Sequence, residues 1–182
     1  MAHLATLPVI VVVIATCIAA VTDLWKFKVY NALTIPLLVT GVAYHAYHDG
    51  WHGLGFSLIG IALGFGILIG LYVLGGVGAG DVKLLAAIGA WLGFTSTLYV
   101  FVVAGLAAGA YAVVVLCLRG GFASVASEAL IIWYQARNLA AHLGADETIE
   151  EVLKRDDHRR RLIPFAAILA IGVVAVVLWW GA

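Results

Sequence analysis

Charge is scarce in this chain. Asp, Glu, Lys and Arg make up 11% of its 182 residues, ten acidic against ten basic. A net charge of zero with so few cations leaves no basic surface for a nucleic acid. Cysteine is nearly absent as well. Cys17 and Cys117 lie far apart in apolar runs with no C-x-x-C pair, which excludes a thiolate zinc site and reads as two small buried hydrophobes. No Lys or Arg precedes Lys26, so the first apolar run lacks the cationic start of a signal peptide and reads as a retained span. Of the three prolines, Pro36 and Pro164 fall in the first turns of expected helices, where proline costs little.

What fills the chain instead is apolar side chain, 64% of it, with a mean hydropathy of +1.10. Soluble domains hold nearer half, so the composition implies a membrane protein. The length suits one membrane-embedded domain over residues 1–182. Apolar segments run over 4–22, 32–48, 54–75, 82–94, 97–118 and 163–180. The fourth is short, about 20 Å as a helix against a hydrocarbon core of about 30 Å.

The cations decide whether it crosses. With six crossings, loops 23–31, 76–83 and 119–162 share one side and hold all ten Lys and Arg. The positive-inside rule then puts those loops in the cytoplasm and both termini outside. Without the fourth crossing, Arg119 to Arg161 would lie opposite Lys26 and Lys28. The expected fold is therefore an all-α polytopic membrane protein of six transmembrane helices. Its short fourth helix implies local thinning or a water-filled cavity beside it. Asn31 is placed to cap the second helix, Gly50 and Gly53 to break one outer loop, and Gly93 with Thr95 and Ser96 to make another.

Between the fifth and sixth helices, 119–162 mixes polarities. Ala129, Ile132, Ala136, Leu139 and Leu143 recur at helical spacing up to Gly144, and Trp133 and Tyr134 suit an interface. This predicts a cytoplasmic amphipathic helix, then a short one opened by a Thr148–Glu151 capping box, with Arg159, Arg160 and Arg161 anchoring the last span.

Two carboxylates stand apart from that polar segment. Asp23 ends the first helix and Asp81 begins the fourth, behind Gly75, Gly76, Gly78 and Gly80. The topology puts both at the cytoplasmic rim. An ionisable group at membrane depth is a functional candidate. Two carboxylates that meet share a proton, so that one can take a proton from water while the other donates. That is the chemistry of an aspartic protease dyad. The glycines let an extended peptide approach without side-chain collisions. The bland alternative makes Asp81 an N-cap and Asp23 a helix end dipping into water. His45, His48, Asp49 and His52 could in principle hold a metal, but read better as interfacial polar residues. No metal or other cofactor is expected.

Thr22-Asp23-Leu24, followed by Lys26, Lys28 and Asn31-Ala32-Leu33-Thr34, resembles the first motif of the type IV prepilin peptidases. Gly78-Ala79-Gly80-Asp81-Val82-Lys83-Leu84 resembles their G-x-G-D motif, and Leu162-Ile163-Pro164-Phe165 is similar to the start of their final helix. The resemblance covers most of the chain. It implies an intramembrane aspartic endopeptidase of the bacterial inner membrane that removes the cationic leader from prepilins or pseudopilins. Asp23 and Asp81 carry over as the catalytic pair, with Gly78, Gly80, Lys83 and Asn31 positioning loop and substrate. Where family members have Ile-Pro-Asn, this chain has Val29-Tyr30-Asn31. Larger members carry a cysteine-rich insertion after the first span and also N-methylate their product. Here only Leu24 to Tyr30 separates the first two spans, so peptidase activity without methylation is expected, similar to the short peptidases of tight-adherence pilus systems. The presenilin class shares G-x-G-D, but with Tyr before its first aspartate and a Pro-Ala-Leu motif, both missing here. A carboxylate-based transporter and a purely structural pilus-assembly component are the remaining alternatives; the transporter is the runner-up. A transporter wants its acids near the bilayer midplane rather than at helix ends.

Overall fold

The computed structural model describes residues 6–26, 29–73, 77–119 and 165–181, all but a few of them helical. Among the described residues four helices follow one another: α1 (Thr6–Lys26), α2 (Asn31–Val73), α3 (Ala79–Arg119) and α4 (Phe165–Gly181). Three are long and apolar enough to cross a membrane, α1, α2 and the Ala79–Val114 portion of α3; Phe165–Trp179 is a shorter apolar helix. The all-helical membrane class expected from composition is thus what forms. The amphipathic segment expected at 119–162 lies, apart from Arg119, outside the described residues.

α2 has 43 residues, which as a straight rod would run about 65 Å, twice a hydrocarbon core. It does not run straight. Gly50 adopts φ 57°, ψ −132°, a conformation closed to side chains with a Cβ, and divides α2 into limbs 31–49 and 51–73. Gly53 then lies against the backbone of His45, and the rings of His45 and Phe56 are 5.0 Å apart, so the second limb folds back along the first. Gly93, at φ 71°, divides α3 in the same way into limbs 79–92 and 94–119. The expected outer loops shrink to these two residues. Gly53 does not break the chain but is helical and buried, and Thr95 and Ser96 are helical too.

The first limb of α3 is the centre of the molecule. Every residue from Leu84 to Gly93 is buried. Apolar burial drives little helix association within lipid, so close packing must hold the limb. Small residues supply it. Gly60 and Gly64, one turn apart on α2, lie against the backbone of Gly89 and Leu85, and Gly41 accommodates Trp91. A short helix therefore needs no matching thickness of lipid, because protein encloses it. α1 packs chiefly against α4, and Gly172 of α4 lies against Val100 and Ala104 in the second limb of α3.

Two smaller expectations change. Cys17 and Cys117 are free thiols and exposed, not buried. A helix facing lipid can be apolar all round, so an apolar run does not say which face packs. Asn31 does not cap α2. The carbonyl of Tyr30 accepts the first-turn amides of Leu33 and Thr34 at 3.0 and 3.2 Å, and Asn31 lies within the first turn.

Candidate active site

The buried face of α1 carries Val12, Ala15, Thr16, Ala19 and Asp23, spaced by three and four. Asp23 continues that stripe one turn before the helix ends, so it faces protein rather than water and is 2% exposed. Its Oδ2 accepts a hydrogen bond from the main-chain N–H of Ala166, at the start of α4, 3.1 Å away. Burial rules out the reading of Asp23 as a wet helix end.

Asp81 is also 2% exposed. It is not the cap of its helix. Gly78 is: its carbonyl accepts the amides of Asp81 at 3.0 Å and Val82 at 3.3 Å. Asp81 then reaches back, and its Oδ2 accepts the N–H of Gly78 at 3.3 Å. This is the reciprocal half of a capping box, made by an aspartate three residues into the helix. The spacing from Gly78 to Asp81 is thereby explained by hydrogen bonding within a single turn. Gly80, between them, lies against Val29.

That contact brings the chain just beyond α1 onto the start of α3. Asp23, Val29, Asn31, Gly78, Gly80, Asp81 and the start of α4 therefore gather at one end of the bundle. Three helices, α2, α3 and α4, begin there, and helix starts present unpaired amides and the positive end of the backbone dipole. Lys83, exposed, donates from Nζ to Oδ1 of Asn31 at 3.0 Å and links α3 to α2. Lys26 lies over the Tyr30 ring, 5.8 Å from its centroid. Only the carbonyl of residue 30 is needed to cap α2, and proline would supply it equally, so tyrosine there leaves the turn intact.

The histidines at the opposite end have other work. His45 Nε2 donates to the carbonyl of Trp91 at 3.0 Å, and its ring meets Tyr44 and Phe56. Among the described residues no His, Cys, Asp and Glu cluster could hold a metal ion.

Sequence reasoning located both aspartates but missed the Ala166 amide. The one signal for it was the register of Asp23 with Ala15, Thr16 and Ala19, a face small enough for another helix to approach.

These features define a class: a helical membrane protein with buried carboxylates collected where several of its helices begin. Within that class the chain belongs to the type IV leader peptidase family, whose model it matches over residues 10–113. It is similar to the prepilin leader peptidase/N-methyltransferase of Aeromonas hydrophila, 30% identical over 164 residues, 86% of this chain and 44% of that protein. The same figures hold for the protein of that name from Aeromonas salmonicida (strain A449). That of Escherichia coli (strain K12) is 36% identical over 91 residues, 46% of this chain and 40% of that protein. The chain thus spans less than half the length of these curated relatives. No solved structure gives a significant match.

Proposed function

We propose that the chain is a prepilin leader peptidase of the bacterial cytoplasmic membrane, with Asp23 and Asp81 as its catalytic pair. The observation that carries this is the burial of both carboxylates at one end of an apolar bundle, each with an oxygen accepting a main-chain N–H at a helix start. A transporter would use acids near mid-depth, whereas these lie in the last turn of α1 and the first turn of α3.

In the proposed mechanism one aspartate takes a proton from water as the water oxygen bonds to the scissile carbonyl carbon. The other gives a proton to the amide nitrogen as the carbon–nitrogen bond breaks. Neither becomes covalently attached. The substrate is the junction between a cationic leader and the apolar segment of a prepilin or pseudopilin, which reaches the site in extended form past Gly78 and Gly80. Six crossings, with the kinks at Gly50 and Gly93 as turns on the outer side, put every Lys and Arg and the site on the cytoplasmic face. Both termini then lie outside, and 119–162 forms a cytoplasmic amphipathic segment within a single domain. Four residues separate α1 from α2, which leaves no room there for a methyltransferase insertion, so the activity is peptidase alone.

The test is leader removal from a co-expressed prepilin, read as a mobility shift. Wild type should cleave, and Asp23→Asn and Asp81→Asn should each be inactive. Cleavage by either variant would make that aspartate structural.

A further inference from the structure

Asp23 is held from outside its own helix, and one group that holds it is main chain. We propose that the N–H of Ala166 is a positioning group for peptide hydrolysis, orienting the Asp23 carboxylate. The inference rests on the peptidase reading. Residue 166 lies beyond the 10–113 stretch matched by the family.

The geometry is specific. Ala166 is the second residue of α4, where an amide has no acceptor within its own helix. It is fully buried, and Asp23 is nearly so. At 3.1 Å, and shielded from water, the Ala166 amide would carry a desolvation penalty without the carboxylate. A main-chain amide also makes a better guide than a side chain. It has no rotamers, does not titrate and moves only if its helix moves, so the donor is oriented before any substrate binds.

Two packing features hold that helix in place. Gly172, a turn and a half further along α4, lies so near the carbonyl oxygen of Val100 that an added Cβ would approach to 2.8 Å. On the other side, α1 offers Ala15, Thr16 and Ala19 in register with Asp23. The methyl of Ala166 is small enough to let the α4 start close on the carboxylate. The seating of α4 between α1 and the second limb of α3 thus sets the position of Asp23 Oδ2.

The experiment compares the purified full-length chain with three versions altered at residue 166, using steady-state cleavage of a prepilin. Ala166→Pro removes the N–H within the first turn of α4, where no bond inside the helix is lost. Replacing Ala166 by lactic acid removes the same N–H as an ester, without a ring. Ala166→Gly keeps it. Hydrogen bonds to charged groups are strong enough that both versions lacking the donor should lose about 10- to 100-fold in kcat. KM should stay near wild type, the pH profile of kcat should change, and Ala166→Gly should retain most of kcat and the wild-type profile. Circular dichroism identifies a proline variant that has not folded, in which case the ester decides. If the ester version, or a folded proline variant, matches wild type in kcat and pH profile, the inference is wrong while the peptidase reading stands. The same holds if Ala166→Gly loses as much as the ester. If wild type itself fails to cleave, the peptidase reading and this inference fall together.

Discussion

The two ends of the buried 79–92 limb are finished in opposite ways. At its start the exposed backbone groups are amides, and a carboxylate meets them: Asp81 accepts the N–H of Gly78. At its far end, where Gly93 breaks the helix, the exposed groups are carbonyls. Side-chain donors meet those: Ser57 Oγ donates to Ala90 at 2.8 Å and His45 Nε2 to Trp91 at 3.0 Å. The difference follows from the direction of the helix. Only the end that presents amides can hold a buried carboxyl oxygen as an acceptor of main-chain hydrogen bonds. The second aspartate obeys the same rule through the start of α4. One end thus gathers the two acids and the other closes the fold.

If that division is right, mutations at the two ends should separate activity from stability. The largest effect belongs to the carboxylates. Asp23→Asn or Asp81→Asn should reduce leader cleavage by about 10³-fold or more, the scale of acid–base catalysis, while thermal unfolding in detergent stays close to wild type. Next comes the contact on which both ends depend. Gly60→Ala would drive a methyl into the backbone of Gly89 and should cost about 1–3 kcal/mol, seen as a lowered unfolding midpoint. At the far end, Ser57→Ala leaves the buried Ala90 carbonyl without its side-chain donor, and about 1–2 kcal/mol of stability should go. Turnover per folded molecule should not change; a Ser57→Ala enzyme that folds normally but cleaves slowly would break the comparison. The smallest effect is expected from Lys83→Met. It removes an exposed hydrogen bond to Asn31, worth less than about 1 kcal/mol, and a change confined to KM would assign Lys83 to substrate rather than to the fold.

Much of this was legible in the sequence because membrane helices announce themselves by length and composition. The apolar runs and the glycines at 50 and 93 mark α1 through α3 to within a few residues, although α1 runs on to Lys26 rather than ending at 22. Asp23 and Asp81 stand out because the chain carries so few charges. What was not legible depends on which face of each helix packs. Asn31 looks like a cap, yet the carbonyl of residue 30 caps α2 and the Asn31 side chain is taken by Lys83. Cys17 sits in an apolar run and faces outward. Gly60 and Gly64 matter through close approach to α3, which no local pattern in α3 reveals. The Ala166 amide is invisible to any reading of side chains, since the group that acts there is common to every residue except proline.

The bond between Asp23 and Ala166 spans 143 positions of chain. During synthesis the first aspartate enters the membrane long before its partner exists. Asp81 and its capping turn are also complete while α4 is still unmade. A chain made only through α3 therefore holds both acids but lacks the amide that orients one of them. The order of translation keeps the site unassembled until α4 has been made.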